Sequence, residues 1–496
     1  MKEKVIPKNL KTIYLILIFL FLSLSYQSSS KLELKNIIPE PVEMSLVPMS
    51  IAISELKGYT TGYTGSNNLL DIFLNHQSLQ RYRNNMSELP RMDLKNILSS
   101  LKIENNSTKS FLEREDLGII DFYKISFSLF GYKISSLTST YYAILILSVI
   151  LFAVKFWNKS FFLNFLLVFA TIHWTVVEIL PMIGPELTTV YNRRFLSVLS
   201  LLPALAIIFD VRNNTILTRV DLFVLILNAI IILLILHFRS ASAFGLLLIL
   251  SLFFYQLVNK KIKICTLGHF YKRSAFSAIS IIVMLFIFLK SFVYLYQDPG
   301  YTKKVTGHLF WHPAYLGLSA HPDSYDKYGI FLHDKVTAKL VSNITEKKFG
   351  THNWEQIGGI DYFEETIKKE YISIFMNDFT FFLESYLIKP VIFIKTFFNS
   401  NYVQNDFIYS FSTLLVFSIV IFSKFLFKLR TNWNDVSNLF YFLIFSFFPS
   451  LFLTPASEVY ILDVAFLFLC SIFLFLTYFI GHLLTHLRKV FYEKQQ

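Results

Sequence analysis

Glu113, Arg114, Glu115 and Asp116 stand side by side, and Asp121 follows close behind them. A carboxylate within reach of a hydroxyl can take its proton, so Asp116, Glu115 and Asp121 are candidate general bases. The same run also fits a solvated charge cluster that caps a helix, with Asp116 in the capping position. Arginines gather elsewhere. Arg193 and Arg194 close PMIGPELTTVYNRR, and Arg239 lies in HFRSAS between two apolar runs. The planar guanidinium offers two parallel donors, which makes Arg193, Arg194 and Arg239 candidate phosphate ligands. Arginines near helix ends also snorkel to water along their own stems.

A third stretch, GHLFWHPAYLGLSAHPDSYDKYGIFLHD, gathers His308, His312, His321 and His333 with Trp311, Asp323, Asp326 and Asp334. His308 and His312 are spaced to share a helix face, which suits a metal. Pro313, however, disfavours helical geometry at His312, and the acidic residues follow no ligand spacing. No metal site is assigned; a divalent cofactor is possible, without a clear motif to carry it. The stretch reads instead as an aromatic loop shaping a substrate cleft. His308, His312 and Trp311 are its substrate-binding candidates, and Trp311, Tyr315 and Tyr325 its stacking platforms.

These residues need elements to hold them. In FLEREDLGIIDFYKISFSLFGY, Ile120, Tyr123, Phe127 and Phe130 recur at helical spacing while Asp121, Lys124 and Ser128 fall on another face. The pattern predicts an amphipathic helix lying at a membrane surface, its carboxylates at the water-facing start. Gly131 is placed to end it in a left-handed conformation.

Composition sets the surroundings. The chain has 496 residues, 54% hydrophobic and 16% charged, with a mean hydropathy of +0.50. Soluble domains carry about 25% charged residues, so the class is a polytopic membrane protein. The 54 Phe and 27 Tyr fit lipid-facing rings and interfacial belts. A net charge of +12 could suit nucleic acid, but the basic residues sit in short segments between apolar runs, as the positive-inside rule expects. Nucleic acid is therefore excluded as a partner. Cys265 and Cys470 are the only cysteines, so no disulfide framework is expected in the polar regions.

The runs predict an all-α polytopic membrane protein with about ten transmembrane helices and two extracytoplasmic, mainly helical segments. Residues 1–27 read as a retained signal anchor rather than a cleaved signal peptide, because no small-x-small site stands out before Tyr26. Residues 28–138 form an outer segment with short amphipathic helices at Leu69–Leu79 and Leu94–Leu101. Its GYTTGYTG piece, Gly58 to Gly65, reads as turn-rich and mobile. Residues 139–296 hold spans at Ser139–Trp157, Phe161–Leu180, Phe195–Phe209, Val220–Leu236, Ala241–Val258 and Ala275–Tyr296. Residues 297–407 return outside, with an amphipathic helix at Asp361–Tyr371 and an interfacial helix near 386–398. Residues 408–496 add the last three spans and a basic tail. Alternating the sides puts Lys155/Lys159, Arg212/Arg219 and 259–273 in the cytoplasm, with both termini. A bacterial inner membrane is the expected location.

This layout, over Ile13 to Trp157 and on REDLGIIDFYKISFSLFG, resembles the GT-C superfamily of integral-membrane glycosyltransferases. An Asp-x-Asp pair is absent, Glu115–Asp116 being the nearest local equivalent. The resemblance implies a transferase moving a sugar from a polyprenyl-phosphate-type lipid to an acceptor at the outer face. Asp116, Glu115 or Asp121 would act as base and the arginines would hold the phosphate. The expected partners are membrane lipid and a lipid-linked sugar. Two other readings stand beside it: a polytopic transporter or flippase, and an O-antigen-type polymerase or ligase.

Overall fold

The computed structural model describes residues 8–35, 39–69, 109–111, 117–157, 160–183, 196–213, 219–238, 268–300, 310–331 and 334–399. That part is about 85% helical. Its first half comprises α1 (Lys8–Lys35), α2 (Pro39–Leu56), strands β1 (Thr64–Ser66) and β2 (Lys109–Phe111), and α3 (Gly118–Phe130). Then come α4 (Ser135–Phe156), α5 (Ser160–Ile183), a 3-10 turn (Leu196–Ser200), α6 (Leu201–Asn213), α7 (Arg219–Phe238) and α8 (Gly268–Tyr296). Among the described residues, Lys11–Ser29, Ser135–Phe156 and Arg219–Phe238 are long and apolar enough to cross a membrane. The expected helices at 69–79 and 94–101 and the spans at 241–258, 408–427, 436–453 and 460–480 lie outside the described residues.

Side-chain pairings fix the relative directions of these helices. Lys11, near the start of α1, lies over the ring of Trp157 beyond the end of α4, while Ser25 and Ser29 bond Tyr142 near its start. The two helices are therefore antiparallel. α5 runs with α1, since Phe21 packs on Trp174 and Ser28 donates to Glu178. Lys155 pairs with Asp221 at the opposite end of α4 from Tyr142, so α7 also runs against α4. Heavy phenylalanine usage serves this packing as well as the surface. Phe152, Phe156, Phe162, Phe165 and Phe169 form a ladder of rings 4.3–6.4 Å apart between α4 and α5. Edge-to-face and offset contacts of this kind add to the burial of large apolar area.

α3 matches the expected amphipathic helix. Ile120, Tyr123 and Phe127 are buried, whereas Phe130 is exposed. Gly131 has the expected positive φ, 86°, but its ψ of 171° is extended rather than left-handed helical. The turn before β1 departs from expectation too. GYTTGYTG is built into the fold: Gly58 and Gly62 take φ of 74° and 73°, Tyr63 takes 67°, and Tyr63 and Thr64 are fully buried. β1 then pairs antiparallel with β2, Thr64 opposite Phe111.

Residues 310–399 have their own core, centred on Tyr315, Leu318, Ile330, Val341, Phe363, Ile367 and Phe381. It is built by α9 (Trp311–Leu316), α10 (Ser324–Tyr328), α11 (Asp334–Phe349), α12 (Trp354–Ile357), α13 (Gly359–Asn377) and α14 (Phe379–Asn399). The sequence placed a shorter helix at Asp361–Tyr371 and an interfacial one near 386–398; both are longer, and α14 begins at Phe379. His312 is helical despite Pro313. A proline in the first turn lacks only an N–H that has no intrahelical partner there.

Candidate functional site

The polar centre of the helical bundle forms where α2, α3, α7 and α8 meet. Asp121 Oδ2 lies 2.7 Å from His237 Nε2 and accepts from the Tyr63 hydroxyl at 2.7 Å. Lys124, one turn along α3, bridges two carboxylates, 2.7 Å from Asp121 Oδ1 and 2.8 Å from Glu55 Oε2. Its ammonium also lies over the rings of Tyr63 and Tyr296, 5.3 and 4.9 Å from their centroids, a favourable place for a cation. Tyr296 donates to Glu55 Oε2 at 3.0 Å.

Local structure positions each group. Glu55 occupies the last turn of α2, and its Oε1 accepts the backbone amides of Tyr63 and Thr64 as the chain doubles back. This holds Tyr63 at a positive φ, uncommon for a bulky residue, and turns its hydroxyl onto Asp121. Gly118 lets α3 approach the end of α7. A Cβ there would stand 2.7 Å from His237 Cδ2 and closer still to the His237 carbonyl. Gly62 likewise lets Asp298, just past α8, donate its amide to Gly62 O at 3.0 Å. Asp298 is tied in turn to Lys109 of β2.

Electrostatics make the cluster an ionised one. Burial pushes the Asp121 carboxyl up, but the His237 hydrogen bond, the charge of Lys124 and the Tyr63 hydroxyl outweigh it, leaving Asp121 below the usual range. Burial likewise opposes the Lys124 charge, and Asp121 and Glu55 together hold that charge in place, above its ordinary value. Tyr63 is pushed up by burial and by Asp121, so it remains a donor. Asp121 Oδ2 against His237 Nε2 is the geometry by which a carboxylate orients an imidazole. Among the described residues, no group of three His, Cys, Asp or Glu side chains converges as a metal cradle.

Of the residues expected from sequence, Asp121 is at this centre. Glu115, Asp116, Arg193, Arg194, Arg239 and His308 lie outside the described residues. Trp311 and His312 belong with the second core. Trp311 packs on Tyr371 with Lys368 over its ring, and His312 Nδ1 lies 2.9 Å from Thr337. The amides of Phe310, Trp311 and His312 are capped by the Glu364 carboxylate at 2.8–3.0 Å. Tyr315 is buried and offers no open stacking face; Tyr325 is exposed. Glu55, Tyr63, His237 and Tyr296 escaped the sequence reading. The one local signal, for Glu55 and Tyr63 alone, was a glutamate three residues ahead of Gly58 and seven ahead of Gly62, glycines that can turn the chain back on it.

A second buried network crosses α1, α4 and α5. His173 lies between Ser25 at Nδ1 and Tyr141 at Nε2, both 2.8 Å, and Tyr142 links Ser25 to Ser29.

Comparison with models of protein families, with curated proteins and with solved structures gives no match. The class defined by the described fold is thus an α-helical protein with three helices long and apolar enough to span a membrane.

Proposed function

We propose that the protein is a membrane glycosyltransferase that moves a sugar from a polyprenyl-phosphate-type lipid to an acceptor hydroxyl at the extracytoplasmic face. The observation that carries this reading is the 2.7 Å pairing of Asp121 with His237, at the end of an apolar helix and on an amphipathic one. Acid–base machinery at the boundary of lipid and water suits a reaction whose donor lies in the bilayer and whose acceptor comes from solvent. The basic segments at 155–159, 212–219 and 259–273 put this end of α7 outside by the positive-inside rule.

In this reading His237 Nδ1 takes the acceptor proton. The acceptor oxygen bonds to the anomeric carbon, the carbon–oxygen bond to phosphate breaks with inversion, and polyprenyl phosphate leaves. Asp121 accepts three donors and is held ionised, so it serves better as the group that orients His237 and steadies the imidazolium than as the base itself. Arg239 follows His237 by two residues and is the nearest candidate in sequence for the leaving phosphate. General-base contributions run at about 10²- to 10⁴-fold. His237→Ala and Asp121→Asn should therefore cut transfer by that order in membrane vesicles given a radiolabelled polyprenyl-phosphate hexose. Wild-type transfer by both variants would remove the chemical basis of the proposal.

The transporter reading is favoured by the His173 network, because ionisable groups buried among apolar helices tend to mark a path for protons or polar solutes.

A further inference from the structure

α14 is apolar on two faces. One face packs into the second core through Phe381, Ser385 and Tyr386. On the other, Phe379, Leu383 and Leu387 follow one another at i, i+4 and i+8 and are 54%, 45% and 64% exposed. The line continues across the elbow at Asp378 onto the last turns of α13, where Ile372, Phe375 and Met376 are exposed as well. Phe375 stacks edge-on against Phe379 at 5.5 Å, so the two helices present one continuous surface. Single exposed apolar residues need no explanation, but a contiguous stripe of large ones marks an interaction surface.

We infer that this elbow of α13 and α14 seats in the acyl–headgroup boundary of the bilayer. The identity of the covering partner follows from how the unit is tethered. It follows α8, whose Phe288, Tyr294 and Leu295 are strongly exposed. The chain beyond Asn399 reaches the apolar run 408–427 within a few residues. With apolar segments on both sides, residues 310–399 stay within reach of lipid. Asp378 and Glu384 border the stripe on the water side, with Lys327 on Asp378. That is the pattern of an amphipathic surface lying in the interfacial plane, its apolar side sunk by about 5–10 Å. The inference is independent of the transferase chemistry, because none of these residues belongs to the Asp121 cluster. The elbow would hold the 310–399 unit down at the membrane surface.

The test uses the full chain with Cys265→Ala and Cys470→Ala, carrying Phe379→Cys, Leu383→Cys or, as a control on α12, Glu355→Cys. Each variant is labelled with bimane and reconstituted into phosphatidylethanolamine–phosphatidylglycerol vesicles. Quenching is compared between a lipid nitroxide near the headgroup end of the acyl chain and aqueous iodide. Lipid quenching at 379 and 383 at least about twofold above that at 355 is expected for the depth of an interfacial helix. Equal iodide quenching at all three positions would place the stripe in water and overturn the inference. Protection of 379 and 383 from both quenchers would assign the stripe to a protein partner, and would overturn it too.

Discussion

Gly118→Ala should uncouple α3 from α7 although it alters no polar group. The added Cβ would lie 2.7 Å from His237 Cδ2, against 3.4–4 Å for an ordinary contact, and nearer still to the His237 carbonyl. Relieving it requires the helices to separate by on the order of 1 Å, because backbone cannot rotate away as a side chain would. The Asp121–His237 bond of 2.7 Å would then open to a separation at which no hydrogen bond survives. The overpacking costs about 1–3 kcal/mol, and losing a hydrogen bond to a charged group adds about 1.5–3 kcal/mol. Gly131→Ala is the comparator. Its Cβ meets nothing within 4 Å among the described residues, so its cost is confined to a positive φ with an extended ψ, a conformation essentially reserved for glycine and costing about 1–3 kcal/mol. The assay pairs thermal unfolding in detergent with amide exchange of residues 118–130 and 230–238. Gly118→Ala should raise exchange in both segments, whereas Gly131→Ala should raise it only near the end of α3. Unchanged exchange at 230–238 in Gly118→Ala would refute the close approach as the device that assembles the site.

Lys389 is fully buried, its amine over the Tyr386 ring at 4.1 Å and without a hydrogen-bond partner among the described residues; burial lowers its pKa from 10.5 to about 7. The unfolded chain binds one more proton between those values, so the 310–399 unit should gain stability as pH rises from about 7 to 10.5, at about 1.4 kcal/mol per pH unit. Amide exchange of residues 379–389 at pH 7.5 and 9.5, corrected for the intrinsic rate, should show this slope, and Lys389→Met should flatten it. An unchanged slope would mean that the amine is not the titrating group. Glu364→Ala removes the acceptor of three amides and should loosen 310–316 by about 1–2 kcal/mol, read as local exchange; unchanged protection there would show that the cap contributes nothing.

Much of the scaffold was legible in the residues themselves. The apolar runs marked α4, α5, α7 and α8 because hydrophobic length and helical period are local properties of a chain. The same period placed α3 and its buried face, and Gly131 its end. Asp121 was legible as a carboxylate on the polar side of that helix. Its chemistry was not. His237 lies 116 positions from Asp121, and Tyr296 lies 241 positions from Glu55. No periodicity carries information over such separations. Those partnerships follow from helix direction and close approach: α7 and α8 end beside α3, Gly118 and Gly62 remove the Cβ atoms that would keep them apart, and Glu55 fixes the turn that brings Tyr63 to Asp121. Sequence alone determined that α3, α4, α5, α7 and α8 are helical and which face of α3 is apolar, whereas α2 and α11 were not marked by it and α13 and α14 run longer than it placed them. Only the tertiary structure decided which charges meet, because burying an ion requires a partner delivered from elsewhere in the chain.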